Sequence, residues 1–213
     1  MNRVPNSLID ELATDLSPVQ PMKLMHGIVL VALAVVGTIF AVELLDGLWR
    51  GVLSGHASAF FFIVNGMLGL LGVATALAVV RMAGPRVGNS HDGARWSLAM
   101  FAVLPVAALV TLGFHGDLHE VTHDPYGLDC FLAGSAFSVL TFAALVGWLR
   151  RGAPVSPTLA GTFTGIAAGA LGSFAYGLAC PIDTLAHLGT WHALPVALGA
   201  LVGRFAVPPL VRW

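Results

Sequence analysis

Two cysteines, Cys130 and Cys180, are the most reactive side chains in this 213-residue chain, and they lie fifty residues apart. Cys180 belongs to Ala179-Cys180-Pro181-Ile182-Asp183, a short interruption between two apolar runs that leads on to His187, Trp191 and His192. A thiolate is both a nucleophile and a soft ligand for zinc, cadmium and similar ions. In an oxidising compartment, two neighbouring thiols also join as a disulfide. Three readings of the pair therefore stand side by side: a disulfide, a reactive or metal-binding thiol pair, and two inert buried cysteines. Auxiliary ligands are available nearby. His115, His119 and His123 recur every fourth residue, a spacing that stacks imidazoles on one helix face. Gly113, Gly116 and Pro125 argue against a long helix there, so a solvated polar loop is the competing reading. Asp183 can ligate, or simply shape a turn and cap the next helix. His187 can ligate too, but His187 and His192 are five apart and face differently on an α-helix, so interfacial hydrogen bonding is the plainer role for each.

The elements that position these groups follow from composition. The chain is 57% hydrophobic and 10% charged, with mean hydropathy +0.85. Soluble domains carry roughly 25% charged residues. So much apolar surface needs lipid as its solvent. Six apolar runs, at about 24–46, 58–80, 96–114, 128–149, 157–179 and 186–207, are each near the length a bilayer requires. The expected fold is all-α: a polytopic membrane protein with six transmembrane helices over 23–213, preceded by a short cytoplasmic amphipathic helix within 1–22. A formal net charge of −1 gives no reason to expect direct nucleic-acid binding. A polar, acidic segment in front of the first run is unlike a signal peptide, so the N-terminus is expected to be retained.

Basic residues set the expected orientation. With the N-terminus inside, Arg3, Lys23, Arg81, Arg86, Arg95, Arg150, Arg151, Arg204 and Arg212 all fall inside, and only Arg50 falls outside. The outer surface is then acidic and rich in histidine. Cys130 opens the fourth run and Cys180 closes the fifth. Cys130 lies 20 residues before Arg150, and Cys180 lies 23 after Pro157. At a rise of ~1.5 Å per residue, two antiparallel neighbours joined by so short a turn bring both sulfurs to a similar height on the outer side. Gly161, Gly165 and Gly169, with Gly199 and Gly203, form small-residue stripes suited to close helix packing in lipid.

The N-terminal segment has its own pattern. Leu8, Leu12 and Leu16 recur every fourth residue with Ile9 beside them, flanked by Asp10, Glu11 and Asp15, and Pro18 and Pro21 end the helix. Such a face can lie on the membrane, or dock in the groove of a partner protein. Interfacial anchors are rich in Lys and Arg, and none stands between Ser7 and Gln20, which favours a protein partner.

A set of motifs now becomes recognisable. Cys130 heads a run that closes on Arg150-Arg151. The glycine-striped run follows, then Tyr176-Gly-Leu-Ala-Cys180-Pro-Ile-Asp183, Trp191-His192, Gly199…Gly203-Arg204 and a terminal Leu210-Val-Arg212-Trp213. Together with Leu8-Ile9-Asp10-Glu11-Leu12-Ala13…Asp15 and Pro18-Val19, this resembles the NrsF family, the "negative regulator of sigma F" membrane proteins. The likeness is most specific over roughly 125–213. It implies an inner-membrane anti-sigma factor, not an enzyme, that holds an extracytoplasmic-function (ECF) sigma factor until an outer signal releases it. It maps the family's two functional cysteines onto Cys130 and Cys180, and sigma binding onto the N-terminal segment. No obligatory cofactor is expected; the signal would be an oxidant or a metal ion such as zinc or cadmium. One departure is Ala179, where the family often has His, so a ligand there would have to come from His187 or the His115–His123 loop.

Two rival classes fit the chain less well. A membrane thiol–disulfide oxidoreductase would want a CxxC pair or four cysteines to relay electrons. A small metal or ion transporter would want ionisable residues in mid-membrane, which these runs nearly lack.

Overall fold

The computed structural model describes residues 14, 22–52, 54–84, 90–115 and 121–211. Among the described residues all regular structure is helical. The helices are α1 Leu24–Leu45, α2 Ala59–Met82, α3 Asp92–His115, α4 Gly127–Leu149, α5 Pro157–Gly177, α6 Leu185–His187 and α7 Leu194–Val211, with a π-helical turn at Leu188–His192 joining the last two. Six stretches are long and apolar enough to cross a membrane, the sixth running from Leu185 to Val211. Each boundary falls within about four residues of the hydropathy expectation. The chain is an all-α polytopic membrane protein. The segment carrying Leu8, Ile9, Asp10, Glu11, Leu12, Asp15 and Leu16 lies outside the described residues.

Lipid as solvent explains both the helices and their surfaces. Without water, each backbone N–H must find its partner within the helix. Bulky apolar side chains such as Leu33, Phe40 and Leu44 on α1, and Leu109 and Phe114 on α3, remain exposed on the outside. Two helix starts, those of α2 and α5, are capped by short hydroxyl side chains. Ser58 accepts from the Phe61 N–H at 3.0 Å, and Ser156 accepts from Leu159 at 3.4 Å, with Pro157 pre-set for the first turn.

The centre of the bundle is α5, whose apolar stretch is 78% buried against 17% for α1. Its sequence of Gly, Ala, Ser and Thr lets neighbouring backbones come close on several sides. A Cβ at Gly161, Gly165 or Gly169 would fall on the backbone carbonyl of Gly203, Gly199 or Pro195, respectively. The pairing runs in opposite directions along the two helices, so α5 and α7 form an antiparallel backbone-to-backbone seam. On another side, Gly172 meets Gly134 and Ser138 of α4, and Gly72 of α2 meets Leu171.

The two ends of the bundle differ. At one, the Trp148 indole of α4 donates to the Val80 carbonyl of α2 at 3.1 Å and fills the space over Gly27 of α1. There Ala153 N–H also donates to the Ala83 carbonyl at 2.9 Å, closing the α4–α5 turn onto α2. The first turn of α1, at Leu24–Gly27, lies at this end. The other end holds the start of α4, the end of α5, and the α6–π turn.

Candidate functional site

At that second end, four buried side chains converge: Cys130, Cys180, His187 and His192. Taking one sulfur or nitrogen from each, all four atoms lie within 4.8 Å of one another. The thiols are free, with their sulfurs 3.8 Å apart. His187 Nε2 is 3.5 Å from Cys180 Sγ.

Each group is held by identifiable local structure. Cys130 sits in the first turn of α4; at Gly127, where that helix begins, the Trp191 ring occupies the space a Cβ would need. Cys180 follows the end of α5, its N–H donating to the Gly177 carbonyl at 3.3 Å. Thr184 caps α6, its hydroxyl accepting from the His187 N–H at 3.3 Å. The π turn at Leu188–His192 then changes the geometry of the two imidazoles. On an α-helix, residues five apart point about 140° away from each other. In a π turn the i→i+5 repeat brings them to the same side. The two rings accordingly lie with centroids 5.4 Å apart.

Hydrogen bonds assign the histidine nitrogens. Asp124 accepts from His187 Nδ1 at 2.6 Å; the His187 side chain is buried and that of Asp124 is 11% exposed. A carboxylate accepts, so Nδ1 carries the proton, and Nε2 is the nitrogen that faces the cluster. The other Asp124 oxygen accepts from the Tyr126 N–H at 3.0 Å, which ties this contact to the turn leading into α4. The Ser173 hydroxyl donates to the His192 carbonyl at 2.7 Å and stands 3.5 Å from His192 Nδ1. His192 Nε2 is buried and has no hydrogen-bond partner among the described residues. Stacking of His192 on Tyr176, at 6.4 Å between centroids, fixes the ring plane.

The Cys180 thiol is pushed well below its ordinary value. The largest cause is the Cys130 S–H donating to its sulfur; burial opposes this, and the His187 and His192 side chains add to it. A sulfur stabilised as thiolate beside a second thiol and two imidazoles can bind a soft metal ion, or react with an oxidant or electrophile.

Of the candidates named from sequence, Cys130, Cys180 and His187 meet here. Asp183 is half-buried and stands outside the four-membered group. His123 is exposed and shares a 3.0 Å hydrogen bond with Thr122, also outside the group. His115 is the last residue of α3, and His119 lies outside the described residues. Sequence reasoning assigned His192 to the interface and gave Asp124 no role beside His187. The available signal was the Trp191-His192 step lying one π repeat beyond His187; the Asp124 contact spans 63 residues and leaves no local trace.

Fold and site together define a class: six-span helical membrane proteins with a buried cysteine–histidine cluster at one end of the bundle. The particular family is set by comparison. The family model "Negative regulator of sigma F" (NrsF) matches residues 12–213, and the chain belongs to that family. "Anti-sigma-F factor NrsF" of Caulobacter vibrioides (strain NA1000 / CB15N) is 32% identical over 148 residues, covering 68% of this chain and 69% of that protein. "Probable anti-sigma-F factor NrsF" of Azospira oryzae (strain ATCC BAA-33 / DSM 13638 / PS) is 26% identical over 162 residues, 72% of each chain. No solved structure matches the chain.

Proposed function

We propose that this protein is an inner-membrane anti-sigma factor with both termini in the cytoplasm. It holds an ECF sigma factor through residues 1–22 and releases it when a metal or oxidant reaches Cys130 and Cys180 on the outer side. Family membership and the names of the relatives support the anti-sigma role. The observation that carries the signalling half is positional: the cluster lies at one end of the bundle, and the N-terminal segment joins α1 at the other. The inside bias of Lys and Arg then puts the cluster outward.

A ligand shifts the protein between two arrangements only by binding them unequally. A tenfold release of the partner requires about 1.4 kcal/mol of such coupling. One rigid element spans the distance. Cys130 rides the first turn of α4, and Trp148, at the far end of the same helix, packs over Gly27 near the start of α1. A change at the sulfurs that tilts α4 is thereby felt where the N-terminal segment attaches.

Deletion of residues 1–20 tests the capture half. A candidate ECF sigma factor co-expressed with the protein should sediment with membranes when the full chain is present. It should become soluble with the truncated chain, while the truncated chain itself stays in the membrane. Undiminished sedimentation with the truncated chain would move the docking surface elsewhere.

A further inference from the structure

The geometry assigns Cys130, Cys180, His187 and His192 to a closed, four-coordinate site for a divalent d10 cation, zinc or cadmium, with Asp124 as the residue that orients His187. This rests on the reading of the two thiols as the signal-receiving groups, and it names the ligand class and the complete donor set.

Distances carry the argument. Zinc binds sulfur at about 2.3 Å and imidazole nitrogen at about 2.0–2.1 Å in a tetrahedron. Those bonds imply edges of about 3.8 Å between two sulfurs and about 3.6 Å between sulfur and nitrogen. The protein holds Cys130 and Cys180 sulfurs 3.8 Å apart, and Cys180 Sγ and His187 Nε2 3.5 Å apart. With all four atoms inside 4.8 Å, the widest pair has only about an ångström to close. A disulfide would instead need its sulfurs at about 2.0 Å.

A second observation is independent of these distances. His192 Nε2 is a buried nitrogen with no partner among the described residues, while Nδ1 faces Ser173. Buried polar atoms are nearly always satisfied, so an orphan at this position points to a bound group. The outer-sphere pattern agrees. A histidine that ligates metal through one nitrogen usually donates the other N–H to a carboxylate, as His187 does to Asp124.

Charge balance suits the burial. When a divalent cation enters, both sulfurs bind as thiolates, any thiol proton leaves to solvent, and both imidazoles bind neutral. Two negative thiolates, two neutral rings and a dipositive ion sum to zero, which a buried, poorly hydrated position tolerates far better than a net charge. Two thiolates select a soft cation over calcium or magnesium, which prefer oxygen. Four protein ligands leave no open position, the pattern of a site that holds geometry rather than one that activates water. Binding would draw the start of α4, the end of α5 and the π turn toward one centre.

The test is a spectroscopic titration of the full-length protein, purified in detergent and stripped with a chelator, using Co2+ as probe and Cd2+ as competitor. Wild-type protein should give the intense visible bands of tetrahedral cobalt and a thiolate charge-transfer band, both displaced by one equivalent of Cd2+. His187→Ala and His192→Ala should each weaken Co2+ binding at least tenfold. His192→Cys should keep the tetrahedral bands and strengthen the thiolate band, a gain that a merely misfolded variant would not produce. Unchanged Co2+ affinity and spectrum in both alanine variants would overturn the donor set, as would octahedral cobalt in the wild type. Sigma-factor capture by metal-free membranes is scored separately. Lost capture with an intact cobalt spectrum sinks the anti-sigma reading alone, and intact capture without cobalt binding sinks this site alone.

Discussion

The α5–α7 seam and the cysteine–histidine cluster adjoin the same two helices, yet they are built on opposite principles. In the seam, glycine removes side chains so that backbones touch, with Gly165 and Gly199 each lying against the other's carbonyl. Nothing there can titrate, oxidise or bind. In the cluster, thiol and imidazole side chains meet, one of them with an orphaned nitrogen, and the chain departs from α-helical geometry through a π turn. The seam is tightly packed backbone on backbone; the cluster has groups whose chemistry can change. A two-state device needs both, because a signal at a pliable site moves a distant point only through a part that does not yield.

This contrast can be broken at the seam with the largest effect. Gly165→Leu places a side chain on backbone that cannot move aside, and should destabilise the bundle by at least about 3 kcal/mol, read as loss of the folded species in detergent melting. Gly66→Ala on α2, where a Cβ meets open space, should not destabilise the bundle, since alanine favours the helix over glycine by up to about 1 kcal/mol. Equal effects from the two would show that the seam is not special.

Substitution at the cluster should behave in the reverse way, sparing the fold and removing the response. The double variant Cys130→Ser, Cys180→Ser should still capture the sigma factor, while the release caused by Cd2+ or oxidant falls at least tenfold. A full response in that variant would demote the thiols to packing.

The smallest effect sharpens the cluster's electrostatics. Since Cys180 is held below its ordinary pKa of 9.0, its thiolate persists as pH falls, and peptide-resolved alkylation of Cys180 should decline only slowly between pH 9 and 6. An ordinary thiol would lose about tenfold in rate per pH unit once below its pKa. Because the Cys130 S–H is the largest cause of the depression, Cys130→Ala should move the Cys180 profile toward higher pH. Superimposable profiles would mean that the two sulfurs do not interact.

How much of this could be read from sequence depends on whether the controlling physics is local. The six spans were legible because lipid demands long apolar runs, and their ends came within about four residues. The nearness of Cys130 and Cys180 was legible too, since antiparallel neighbours of equal length bring their ends level. The Gly161–Gly165–Gly169 spacing pointed to a close contact, and the α5–α7 seam is where it lies. The approach of His187 and His192 was hidden because periodicity assumes 3.6 residues per turn, whereas Leu188–His192 follows the π repeat. Asp124 was invisible for another reason: its partner His187 is 63 residues away, brought close only by tertiary packing.

The central claim is that the cluster and the N-terminal segment occupy opposite sides of one membrane. Intact cells should be mildly reduced and treated with a membrane-impermeant thiol reagent, with a compartment-sensitive reporter fused to the N-terminus of the same protein. The account predicts that Cys130 or Cys180 is labelled from outside while the reporter registers the cytoplasm. Finding the sulfurs and the reporter in the same compartment would contradict it.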